Sequence, residues 1–83
     1  MIWKNNLGKL IKEERLSWGM SRHKLSKLSH VDIETIVNIE HGKNKNPDIF
    51  DMLSICDVLD TSVFFYLDKK KIIGYENRRN KNT

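Results

Sequence analysis

The stretch Ser21–Gly42, SRHKLSKLSHVDIETIVNIEHG, decides how this chain folds. Leu25 and Leu28 form one apolar pair at helical spacing, and Ile36 and Ile39 form a second. Between the pairs lies Ser29-His30-Val31-Asp32, too short for a wandering loop but long enough for a sharp corner. Asp32 suits the cap of the second helix, since its carboxylate can accept hydrogen bonds from the free N–H groups of the first turn. Val31, just before it, is placed to plug the angle. Two short helices meeting at a tight turn are expected here.

Working outward, a helix is expected from near Asn5 or Asn6, good capping residues, to about Trp18. Leu7, Leu10, Ile11 and Trp18 are read on its inner side, and Gly19 supplies the left-handed residue that stops it. The second helix runs from Arg22 to Ser29 under a Ser21 cap. Lys24 stands where a capping box would place Glu, so that cap is half made. The third runs from Ile33 to His41 and stops at Gly42. Asn46-Pro47 marks the start of a fourth, with Asn46 as its cap, which buries Met52, Ile55, Cys56 and Leu59. A fifth short helix is expected over Val63 to Leu67, with Val63, Phe64 and Leu67 inward and Phe65 or Tyr66 outward.

In register, the chain carries Arg15, Gly19, Met20, Ser21, Arg22, Leu25, Ser26, His30, Val31, Asp32, Thr35, Ile36, Ile39, Glu40 and Gly42. With these residues it resembles the Cro/repressor-type (Xre-like) helix-turn-helix family. The likeness continues through Pro47, Met52, Ile55, Cys56, Leu59, Ser62 and Leu67. It departs at Arg22 for Gln, Ser26 for Ala, His30 for Gly and Cys56 for Ala. The glycine position needs a left-handed backbone, which histidine tolerates better than most residues. The resemblance implies an all-α, compact five-helix lambda-repressor-like domain over residues 1–67, with helices 2 and 3 as the helix-turn-helix. Residues 68–83 follow as a basic, flexible tail.

The family's roles transfer by position. Arg15 and Glu40 are implied to form a buried ion pair tying helix 1 to helix 3. The base readers are Ile33, Glu34, Val37 and Asn38 at the start of helix 3, which enters the major groove. Asn38 can read adenine, Glu34 can accept from the cytosine amino group, and Ile33 or Val37 can touch a thymine methyl. Residues 32–41 hold Asp32, Glu34 and Glu40 but no Lys or Arg, so phosphate attraction must come from the flanks. Arg22, Lys24, Lys27, His41, Lys43, Asn44 and Lys45 stand at or near backbone-contacting positions. Family members dimerise through the region holding Phe65 and Tyr66, and an exposed aromatic there suits a second copy.

The 83 residues make one small domain with a modest core. The net charge of +4 is carried by residues 68–83, where six basic residues oppose Asp68 and Glu76; residues 1–67 sum to zero. Such a tail favours a polyanion, or serves only as a solubilising extension. No apolar run exceeds Val63 to Leu67, so no membrane partner is expected. The lone Cys56 excludes an internal disulfide and suits the cytoplasm. His23, His30 and His41 match no metal-ligand spacing, Cys56 lacks a partner and there is no glycine-rich phosphate loop. No catalysis, cofactor or metal is expected. The function read from the sequence is a transcriptional repressor binding double-stranded operator DNA as a homodimer. The alternative is the same fold as a protein-interaction module with an antirepressor or antitoxin-type partner.

Overall fold

The computed structural model describes residues 2–71. Four α-helices follow one another: α1 (Leu7–Ser17), α2 (Arg22–Ser29), α3 (Ile33–Glu40) and α4 (Ile49–Leu59). Two 3-10 turns close the described chain, Val63–Tyr66 and Lys69–Lys71. α3 packs against both α1 and α2, and α2 against α4. The core at their junction is built from Leu7, Ile11, Leu25, Ile36, Ile39 and Ile55, joined by Met52, Cys56 and Leu59.

The five-helix expectation is therefore corrected to four α-helices among the described residues. The segment after Ser62 is a 3-10 turn, with Phe65 N–H bonded to the Ser62 carbonyl at 3.1 Å. It cannot lengthen into an α-helix because Leu67 is extended (φ −84°, ψ 139°) and pairs with Trp3. The tighter winding also changes which residues face inward. In a 3-10 turn, positions three apart eclipse, so Val63 and Tyr66 share the inner face. Tyr66 is wholly buried, and Phe64 joins Phe65 outside, at 68% and 54% exposure.

The Trp3–Leu67 bridge is an isolated one, and the described residues contain no strand. Lys4 N–H bonds the Tyr66 carbonyl at 2.9 Å, and Asp68 N–H bonds the Ile2 carbonyl at 2.7 Å. The Trp3 indole N–H reaches the Pro47 carbonyl at 3.2 Å. Trp3 thereby lies in the core, at 2% exposure.

The corner between α2 and α3 is fixed by three residues. His30 takes the left-handed conformation at φ 60°, and its N–H bonds the Ser26 carbonyl. The Ser26 hydroxyl donates to the Val31 carbonyl at 2.6 Å, while the Ser29 hydroxyl oxygen accepts from Val31 N–H. Asp60, also left-handed at φ 55°, ends α4 in the same way. Ser21 caps α2 through Lys24 N–H.

Several local expectations change. Asp32 makes no side-chain cap bond to α3, and Asn6 makes none to α1. The cap of α4 is Asp48, accepting from Phe50 and Asp51 N–H, which puts Asn46 and Pro47 before the helix. Leu28 is 47% exposed, and Trp18 lies half outside with its indole N–H on the Leu59 carbonyl. Gly8 is the close-approach residue: a Cβ there would collide with the Ile39 carbonyl and lie 2.8 Å from the Glu40 carbonyl. That missing side chain sets how near α1 lies to α3. The expected flexible tail lies, beyond Lys71, outside the described residues.

Candidate nucleic-acid interface

The aim of α3 is set by one buried carboxylate. Glu40, whose side chain has no exposed surface, receives Arg15 Nε on Oε2 at 2.7 Å and Arg15 Nη2 on Oε1 at 2.9 Å. The third Arg15 nitrogen donates to the Met20 carbonyl at 2.7 Å, which pins the α1–α2 connection. A bidentate arginine–carboxylate pair fixes orientation as well as distance. Arg22 adds a third bond, Nε to Glu40 Oε1 at 2.9 Å, while about a third of its own side chain stays in solvent. Burial pushes the Glu40 carboxyl up, but hydrogen bonds and charge from Arg15 and Arg22 outweigh it and hold the acid below its ordinary value.

Around this anchor the residues implied by the resemblance distribute as follows. Glu34 is exposed, whereas Ile33, Val37 and Asn38 are half-buried on α3. Lys24 and Lys27 are exposed on α2. The Asn38 carbonyl accepts from Lys43 N–H at 2.9 Å and Asn44 N–H at 3.0 Å, folding the following loop back against the end of α3. That fold leaves His41, Lys43 and Lys45 exposed. Asn44 is half-buried, and its Oδ1 accepts from Asn46 N–H, so part of its side chain already serves the loop. Exposed cations therefore stand on α2 and in the 43–45 loop that folds back on the end of α3, while Glu34 is the exposed acid of α3 itself.

Three features escaped sequence reasoning. The bond from Arg22 to Glu40 spans 18 residues and has no local signature. The α1–α3 contact at Gly8 left one signal, a glycine inside an otherwise helical pattern. An α-helical period points Phe64 inward, whereas the 3-10 turn leaves it outside. Tyr66, expected as a dimer contact, is corrected to a core residue whose hydroxyl accepts from Thr61 Oγ1. Burial raises both the Tyr66 phenol and the Cys56 thiol above their ordinary values.

Among the described residues no group of His, Cys, Asp or Glu could hold a metal ion, and no helix is long and apolar enough to cross a membrane.

The helix-turn-helix family matches residues 11–65. The N-terminal DNA-binding domain of SinR from Bacillus subtilis superposes with a TM-score of 0.75 at 31% identity, over 82% of this chain and 99% of that one. SinR, the master regulator for biofilm formation, solved in complex with DNA, gives a TM-score of 0.68 at 31% identity, over 70% and 92%. The restriction-modification controller protein C.AhdI from Aeromonas hydrophila gives 0.67 at 25% identity, over 72% and 89%. No curated protein sequence matches the chain.

Proposed function

We propose, from the premise that this chain belongs to the Cro/repressor-type (Xre-like) helix-turn-helix family, that it represses transcription by occupying an operator. The chain is a DNA-binding transcriptional regulator, as its likeness to SinR, solved on DNA, and to the controller protein C.AhdI supports. In this reading the exposed edge of α3 enters the major groove and Ile33, Glu34, Val37 and Asn38 meet base edges. Arg22, Lys24, Lys27, His41, Lys43, Asn44 and Lys45 hold the phosphates on either side and set register. Residues 68–83, with their excess of Lys and Arg, add sequence-independent attraction. The regulator works as a homodimer through the exposed Phe65 and its neighbour Phe64, in the cytoplasm and without a catalytic step.

The observation that carries this reading is the three-way contact of Glu40 with Arg15 and Arg22, which locks α3 to a cation on α2. The exposed acids Asp32 and Glu34 at the start of α3 favour a second reading, a surface for a basic protein partner. Selection from random-sequence duplexes at moderate salt separates the two. An operator reader enriches one site; Asn38→Ala then costs ~1–3 kcal/mol on that site and little on random DNA. A protein that enriches no sequence is an interaction module.

A further inference from the structure

A small cleft opens between the start of the chain and the loop after α3. Its cavity of about 70 Å³ has Trp3 and Ile39 in the floor and Lys4, Asn5, Asn44 and Lys45 around the wall. A single water needs only ~10–15 Å³, so the cleft admits a group of several heavy atoms. What it can hold follows from which atoms are already engaged. The Asn5 side-chain oxygen accepts from the Lys71 ammonium at 2.7 Å, and the Asn44 side-chain oxygen accepts from Asn46 N–H at 3.1 Å. Each amide therefore keeps its NH2 as the group left to offer. The Trp3 indole N–H is engaged by the Pro47 carbonyl, and the Lys4 and Ile39 carbonyls by Leu7 and Gly42 N–H. The Phe65 ring, 4.4 Å from Lys4 Nζ, brings that ammonium no oxygen. Among the described residues no carboxylate lines the cleft. Two ammonium groups and two amide donors, with no acid among them, make a lining for an oxyanion.

We propose that this cleft seats a phosphate of the DNA backbone, held from one side by Lys4 and Asn5 and from the other by Asn44 and Lys45. The assignment rests on the DNA-binding reading above and adds two ligands that lie outside the helix-turn-helix. In that reading Asn44 and Lys45 already stand against phosphates, so the backbone beside them is the anion that reaches the cleft with least rearrangement. Lys4 and Asn5 are set in place by the other end of the described chain. Lys4 N–H bonds the Tyr66 carbonyl at 2.9 Å, and Lys71 grips Asn5. The acid on that side, Asp68, is engaged by the Lys71 ammonium at 3.9 Å and by Lys70 N–H at 3.1 Å. Such a seat reads no sequence; it fixes register and adds one more cation to the salt dependence of binding.

Titrations of the full chain with operator and random duplexes over a salt series test the seat, with helicity and melting temperature checked for each variant. Lys4→Gln should lower the slope of log affinity against log salt by about one unit, a loss of about tenfold for both duplexes near 0.1 M salt. Asn5→Asp keeps the oxygen that Lys71 holds but puts a negative charge in the cleft, so it should weaken both duplexes at least as much. Lys12→Gln, which removes an exposed lysine of α1 outside the cleft, should leave the slope as in wild type. In NMR spectra the side-chain NH2 signals of Asn5 and Asn44 should move when duplex is added. A Lys4→Gln slope equal to wild type, or a Lys12→Gln slope that falls as far, overturns the seat, while Arg22→Ala still reports the contact made by α2. NH2 signals that move with inorganic phosphate but not with duplex make the cleft a free-anion site and overturn the DNA assignment. A chain that binds no duplex overturns the DNA-binding reading and the seat together.

Discussion

Arg22 Nε lies 2.9 Å from Glu40 Oε1, the same oxygen that receives Arg15 Nη2. One buried carboxylate thus orders two guanidinium groups from different helices, one enclosed and one reaching into solvent. Arg15 ties α1 to α3, and Arg22 extends the tie to the start of α2. The outward arginine is pre-set by an anion behind it rather than waving from a flexible stem.

Glu40→Ala should destabilise the fold by about 3–5 kcal/mol, since Arg15 is left as an uncompensated buried charge, and Arg15→Ala should cost less, since Arg22 still holds Glu40. Arg15→Ala combined with Glu40→Ala should cost less than the two single changes together. Denaturant melts of the three variants measure this. Strict additivity would mean that Arg15 and Glu40 are energetically independent.

Arg22→Lys keeps the charge but loses the planar fork that Glu40 holds. Affinity for specific and random DNA should both fall, with the slope of affinity against salt unchanged. Arg22→Ala should lower that slope by about one unit. Titrations at several salt concentrations read both quantities. A lysine variant equal to wild type would reduce Arg22 to a point charge.

Stability should fall in acid through Glu40. The folded-state acid lies below its ordinary value near 4.5, so the unfolded chain binds the proton more readily. Its contribution is complete above about pH 4.5 and disappears as the pH falls through the lower folded value. Glu40→Gln should therefore melt well below wild type at pH 6, with the gap narrowing towards pH 2. Parallel melting curves across that range would contradict the shift.

Gly8→Ala should destabilise the fold by roughly 1–3 kcal/mol, although alanine is the better helix former. The added methyl meets backbone carbonyls of Ile39 and Glu40, which cannot rotate away as a side chain would. Because α1 must then stand off from α3, DNA affinity should fall with stability. Thermal melts and operator titrations check the two together.

Most of the architecture was legible because its signals are local. Leu25, Ile36 and Ile39 advertise their burial through spacing, Ser21 and Gly19 mark helix ends, and the family's glycine position, held here by His30, implies a left-handed turn. The errors also have local causes. Aspartates are good caps by type, yet whether Asp32 or Asp48 bonds the first turn depends on the path of the chain into each helix. The VFFYL segment suits a helical period near four, but Leu67 obeys the distant Trp3 instead. At the candidate interface, the cations on α2 and in the 43–45 loop follow from the resemblance by position, and the structure leaves Lys24, Lys27, Lys43 and Lys45 exposed. The restraint on Arg22 does not follow, because it joins positions brought together only by the folded core.

The bridge between Trp3 and Leu67 changes what fraying means in this protein. An ordinary terminus peels off without disturbing the rest, residue by residue. Here residues 2–4 hold residues 66–68, through the bonds to Tyr66 and Asp68, and reach the loop before α4 through the indole contact with Pro47. Trp3 is itself buried in the core, so releasing residues 2–4 also breaks the backbone bonds that hold residues 66–68, and the two segments should open as one cooperative unit. The ends of the domain therefore act as its clasp.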